Sequence, residues 1–181
     1  MRKALLFVLA VAILTLEACS GRGASSSSPT SNELLRAGSN DADWIIPGKT
    51  YAGNRVTGLD EISPANVKQL KKVWVTTVRD DGEEEASPII WNETVYVSTS
   101  HDNVLALDAK SGALRWAFGY TPAYELQYAV NRGVGLAGGR LYIVTQDCRL
   151  IAIDAQTGRQ LFNVPACHDT TNTWYSNSLC L

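Results

Sequence analysis

Twenty-six residues of this 181-residue chain recur, without a gap, 46 positions further on. Trp91–Trp116 aligns with Ala137–Phe162, and Tyr96/Tyr142, Thr99/Thr145, Ala106/Ala152, Asp108/Asp154, Ala109/Ala155 and Gly112/Gly158 are identical pairs. Val95/Leu141, Val97/Ile143, Leu107/Ile153 and Trp116/Phe162 keep their apolar character. Val95, Val97, Leu105 and Leu107 alternate with Tyr96, Ser98 and Ala106, the period of two that a pleated strand requires. Short alternating strands repeating at about 40 to 50 residues are the signature of β-propeller blades. The spacing predicts four strands in one blade: Pro88–Trp91, Thr94–Thr99, Val104–Asp108 and Leu114–Phe118. Asp108–Gly112 and Asp154–Gly158 supply matching turns, with the glycine free to take a positive φ.

Composition agrees with an all-β fold and narrows the partners. Fourteen Gly, 5 Trp and 7 Tyr against 3 Phe and 1 Met suit short strands and tight turns. Sixteen basic and 18 acidic residues give a net charge of −2, without the basic footprint of a nucleic-acid binder. Residues 42–181 hold about three blades at that period. A propeller closes with four to eight blades, so three make an arc rather than a ring.

The first 19 residues read as targeting. Arg2 and Lys3 precede Ala4–Leu16, 13 residues that are apolar except Thr15, too short for a bilayer span and right for a secretory core. Leu16-Glu17-Ala18-Cys19 resembles the bacterial lipoprotein cleavage box, in which Cys19 becomes the lipidated N-terminus; the alternative is an ordinary signal peptide cut nearby. The expected organisation is a signal segment over 1–18, a lipidated Cys19 with a Ser-rich flexible tether over 19–40, and a partial propeller over 41–181. Export would leave the domain in the periplasm, held to a membrane through a lipid anchor only. Cys167 and Cys180 could then pair and leave Cys148 odd, or all three could stay unpaired small hydrophobes. No zinc-type Cys/His spacing is present, and His168 beside Cys167 does not make a metal site.

The repeat Ala-x-Asp-Ala-x-Thr/Ser-Gly-x-x-x-Trp/Phe resembles that of the pyrroloquinoline quinone (PQQ) propeller superfamily. Asp43–Trp74 resembles the N-terminal entry of the PQQ-dependent alcohol dehydrogenases, and Glu85-Ala-Ser-Pro88, Ser100–Asp108 and Val130-Asn-Arg-Gly-Val134 follow in family order. The resemblance spans about residues 41–164. It implies an eight-bladed propeller with PQQ and Ca²⁺ on its axis. Such an enzyme oxidises alcohols or polyols in the periplasm and passes electrons to a periplasmic acceptor. Glu85 matches the glutamate that hydrogen-bonds PQQ; otherwise it is the last member of a solvated run, Glu83-Glu84-Glu85. Arg132 matches the arginine at the quinone, and a guanidinium fork suits carboxylate or ortho-quinone oxygens. Ser178, in Tyr175-Ser-Asn-Ser178, is the third cofactor-binding candidate. Leu126-Gln127 replace the adjacent cysteines that many members carry before the Asn-Arg-Gly-Val segment. The family's catalytic aspartate and Ca²⁺ ligands come from later blades, so an N-terminal part of such an enzyme would be inactive alone.

A competing string, Gly133-x-Gly135-x-x-Gly138 with Asp154 about 20 residues on, imitates a dinucleotide fingerprint. It leads into the strand-like Leu141–Thr145 instead of a helix, so NAD is not expected. Two other readings stand beside the dehydrogenase: a non-catalytic PQQ-like propeller lipoprotein serving as an outer-membrane assembly scaffold, and a decayed gene. The Asp43–Trp74 entry, Glu85 and Arg132 favour the enzyme, because a scaffold needs no cofactor pocket.

Overall fold

The structure, a computed structural model, describes residues 28–78, 82–123 and 130–166. Among the described residues, eight strands form two four-stranded antiparallel sheets, each in simple meander order. Blade 1 comprises β1 (Ile89–Trp91), β2 (Thr94–Ser98), β3 (Val104–Asp108) and β4 (Leu114–Phe118). Blade 2 comprises β5 (Gly135–Ala137), β6 (Arg140–Val144), β7 (Arg149–Asp154) and β8 (Gln160–Pro165). The four strands expected for blade 1 are all present; β1 starts one residue late, since Pro88 has no N–H for a ladder.

The 46-residue repeat is reproduced in three dimensions down to its irregularities. Tyr96 pairs with Ala106 and Tyr142 with Ala152, and both sheets break register just after that alanine. The two-residue turn of the first hairpin is left-handed at both positions in both blades, built from Asn92-Glu93 in one and Gly138-Gly139 in the other. That geometry matches the twist of the flanking strands. In the Asp turns, Asp108 accepts from Lys110 N, Ser111 N and Ser111 Oγ, while Asp154 accepts from Gln156 N, Thr157 N and Thr157 Oγ1.

The blades stack face to face. Leu141, Ile143, Ile151 and Ile153 of blade 2 are wholly buried against a blade 1 face carrying Tyr96, Val104 and Ala106. Each such aliphatic side chain stabilises the stack by roughly 1.5–3 kcal/mol. The Tyr96 hydroxyl donates to Ala155 O at 3.2 Å, joining a strand of blade 1 to the Asp turn of blade 2. Trp116 of β4 lies on the same turn: its Nε1 donates to Ala155 O at 3.1 Å, and its ring covers Gly158 so closely that a Cβ there would come within 2.7 Å.

Residues 41–78 form no third sheet, although length alone allows about three blades. They serve blade 1 in two other ways. Trp74 Nε1 donates to Ala109 O at 3.0 Å and its ring covers Gly112, so Trp74 does for blade 1 what Trp116 does for blade 2. Trp44 extends the edge of β1 by a backbone bridge to Ile90, with N···O distances of 2.9 and 2.8 Å. Lys49, 1% exposed, underpins this turn by donating to Asn40 O and Asp43 O, with Asp41 at 3.6 Å.

Part of the segment read as a tether carries regular structure. Ser31–Leu35 form a short helix, α1, capped by a reciprocal Thr30/Glu33 box, and Ser28 Oγ accepts from Gly139 N at 2.6 Å. Residues 28–40 therefore rest against the blades. Among the described residues no helix is long and apolar enough to cross a membrane. The Gly133–Gly138 string runs into β5 with no helix, in line with its rejection as a dinucleotide motif.

Candidate functional site

Glu85 and Arg132 lie on the leads into the first strands of consecutive blades, one position out of the 46-residue register. The leads touch: Ser87 N donates to Arg132 O at 3.2 Å. Gly133 permits this approach, because its φ is 129° and a Cβ would sit 3.0 Å from Ser87 O. The two sequence-predicted side chains thereby meet in an ion pair, Arg132 Nη2 to Glu85 Oε2 at 3.1 Å. Both side chains remain nearly half exposed, 48% and 42%. The acidic run is thus divided in function: Glu85 holds Arg132, while Glu84 Oε1 accepts from Ser100 N at 3.3 Å.

Behind the pair lies a buried polar layer that sequence reasoning missed. Asp102 in the β2–β3 turn, Asn131 beside Arg132, and Gln146 and Asp147 in the β6–β7 turn are all more than nine-tenths buried. Asn131 donates to Asp102 Oδ1 at 2.7 Å, and Gln146 N donates to Asp102 Oδ2 at 2.9 Å. Burial pushes the Asp102 carboxyl up to about 6, against the pull of those two donors. Asp147 accepts from Tyr120 Oη at 2.9 and 2.7 Å, from Ala123 N at 2.9 Å, and from Thr145 Oγ1. Burial, followed by that carboxylate acceptor, pushes the Tyr120 phenol up to about 12. The visible signal was the repeat itself, since Ser100, His101 and Asp102 occupy the turn that Gln146, Asp147 and Cys148 occupy 46 residues on.

Asp102 and Cys148 share a left-handed backbone, with φ of 61° and 63°. Cys148 is disulfide-bonded, which corrects both the pairing that left it odd and the reading of three unpaired cysteines. Its partner lies outside the described residues; Ala166, the neighbour of Cys167 in sequence, donates from N to Cys148 O at 2.8 Å. Cys19, Leu126-Gln127, His168 and Ser178 also lie outside the described residues. No three His, Cys, Asp or Glu groups converge among the described residues, and Asp102 and Asp147 are committed to internal donors. These blades therefore do not fit a calcium site, whereas the exposed guanidinium fork of Arg132 fits an anionic, oxygen-rich ligand.

Residues 44–168 match the family model of the PQQ glucose/ethanol/alcohol dehydrogenase β-propeller domain. The chain belongs to this family. It is 32% identical over 142 residues to the dehydrogenase subunit of the quinone alcohol dehydrogenase of Gluconacetobacter polyoxogenes, covering 75% of this chain and 19% of that one. It is 31% identical over 152 residues to a lanthanide-dependent methanol dehydrogenase of Methylacidiphilum fumariolicum, covering 78% and 24%. The crystal structure of the quinohemoprotein alcohol dehydrogenase of Comamonas testosteroni superposes with a TM-score of 0.70 at 32% identity, over 77% of this chain and 22% of that one. The chain thus spans about a fifth of the length of these PQQ-family relatives.

Proposed function

We propose that these blades form part of the propeller of a periplasmic, PQQ- and Ca²⁺-dependent alcohol dehydrogenase, and that Glu85 and Arg132 face the cofactor. The observation that carries this reading is the Glu85–Arg132 pair, set on the touching leads of consecutive blades and still half exposed. PQQ, when bound, supplies the two-electron acceptor for an alcohol's hydride. Arg132 would hold it through guanidinium N–H donors not engaged with Glu85, and Glu85 would keep that guanidinium in place while offering carboxylate oxygens to a donor. Both residues bind and orient; neither moves a proton in the reaction. A metal and a general base would have to come from residues other than those described. Export through the leader, with a lipid on Cys19, would place the enzyme beside a periplasmic electron acceptor.

The test is PQQ reconstitution with Ca²⁺, or a lanthanide, followed by dye-linked alcohol oxidation. PQQ held by these two residues alone stays largely solvated, which returns most of their electrostatic gain to water, so the described blades are expected to bind it weakly. Absence of any PQQ binding in a form with a closed ring would contradict the proposal and favour the scaffold reading.

A further inference from the structure

We propose that Asp102 is the positioning residue of the Glu85–Arg132 site: its buried carboxylate orients Asn131, and Asn131 fixes the backbone that aims Arg132. The inference rests on Arg132 being the cofactor-facing arginine.

Asn131 uses its whole hydrogen-bonding capacity. Its Nδ2 donates to Asp102 Oδ1 at 2.7 Å and to Val144 O at 3.2 Å. Its Oδ1 accepts from Ser98 Oγ at 2.7 Å and from Gly133 N at 3.0 Å. Turning the amide over would set donors against donors at Gly133 and acceptors against acceptors at Asp102 and Val144, so one orientation is enforced. Arg132 therefore stands between two anchored neighbours, and its own carbonyl is held by Ser87 N. Only side-chain torsions remain to place the guanidinium.

Asp102 is the keystone because it joins three elements. Its Oδ2 accepts from Gln146 N, and Gln146 Nε2 donates to Ser100 O at 2.9 Å and Val130 O at 2.6 Å. The β2–β3 turn, the β6–β7 turn and the lead into β5 are thus closed into one ring. Both partners of the carboxylate are N–H donors, which suits the ionised form. A protonated Asp102 would turn an O–H toward one of them and lose that bond. Its charged surroundings are Asp147 of the β6–β7 turn, which pushes the carboxyl up, and His101 of its own turn, which pulls it down. Glu84, at Ser100 N, and the Glu85–Arg132 pair lie on the adjoining leads. Protonation near pH 6 should therefore loosen Asn131, and with it Arg132.

The experiment is an NMR titration of the full chain from pH 4.5 to 8, wild type and Asp102→Asn, with PQQ affinity of both measured by fluorescence in a form with a closed propeller. In the wild type the Asp102 side-chain carboxyl carbon, the Gly133 amide and the Arg132 Nε–H should share one midpoint near 6. In Asp102→Asn the Gly133 and Arg132 midpoints should vanish. Wild-type PQQ affinity should fall about tenfold from pH 7.5 to 5, the order expected for one misaligned charge-assisted bond, and the variant should lose that slope. Flat Gly133 and Arg132 signals would overturn the proposal, as would a midpoint that survives in Asp102→Asn. If the variant does not fold, unequal midpoints for Asp102 and Gly133 in the wild type would overturn it. Shared midpoints without PQQ binding in any form would uphold the positioning role and sink the cofactor reading.

Discussion

The two blades carry the same sequence pattern and bury it unequally: Leu107/Ile153 and Ala106/Ala152 are buried in both, but the rest of each face is not. Val95, Val97 and Leu105 of blade 1 are only half-buried, whereas their repeat partners Leu141, Ile143 and Ile151 are sealed. At the tyrosine pair on the other face the order is reversed, with Tyr96 5% exposed and Tyr142 half-buried. A blade is a thin sheet with two apolar faces, and stacking decides which one loses contact with water. Identical alternation in sequence therefore specifies the strand, and the neighbouring blade specifies the core.

The largest test of this asymmetry compares equivalent truncations. Ile143→Ala removes a fully buried side chain and should cost about 2–5 kcal/mol, while Val97→Ala at the matching position should cost roughly 1 kcal/mol or less. Urea unfolding of both variants measures the gap, and equal losses would mean that the blades do not stack as described. Next in size come the glycines under the two indoles. Gly158→Ala and Gly112→Ala each force a Cβ toward a tryptophan ring, to 2.7 and 2.5 Å, at φ of 73° and 70°. Each should cost on the order of 1–3 kcal/mol. Similar losses in thermal melting would establish Trp74 as the equal of Trp116, and a silent Gly112→Ala would deny it that role.

How much of this was legible beforehand follows the same division. The strands, the Asp turns and the matching register were readable because a fixed period exposes them. The burial asymmetry was not, since Val95 and Leu141 are alike until a neighbour covers one of them. Glu85 and Arg132 stand 47 residues apart and were linked only through family motifs; no local rule predicts that the leads touch at Ser87 and Gly133. Asp102, Asn131 and Gln146 were passed over because polar residues in turns ordinarily face water, and here two stacked turns exclude it. The Thr30-Ser-Asn-Glu33 box was a readable helix start hidden inside a Ser-rich stretch.

A smaller contrast concerns the Asp turns. The Arg115 guanidinium beside Asp108, at 2.8 Å, holds that carboxyl far below the usual range; blade 2 has Leu161 at the equivalent place, and Asp154 is lowered mainly by the Thr157 hydroxyl. A carboxyl whose folded value is depressed contributes stability above its unfolded value, near 4, and loses it as pH falls through the folded value. The stability difference between wild type and Asp154→Ala should therefore close first on acidification, and that of Asp108→Ala at lower pH. Melting curves from pH 5 to 2 check the order, and the reverse order would contradict the role given to Arg115.

Arg132 is the group proposed to meet the cofactor. Its most direct test is PQQ affinity in a form of the enzyme with a closed propeller, comparing Arg132→Ala with Arg159→Ala on the distant Asp turn. Loss of a guanidinium bound to an anionic ligand should weaken PQQ by roughly ten- to a hundredfold, and Arg159→Ala should leave it unchanged. Equal affinities for Arg132→Ala and the wild type would contradict the site.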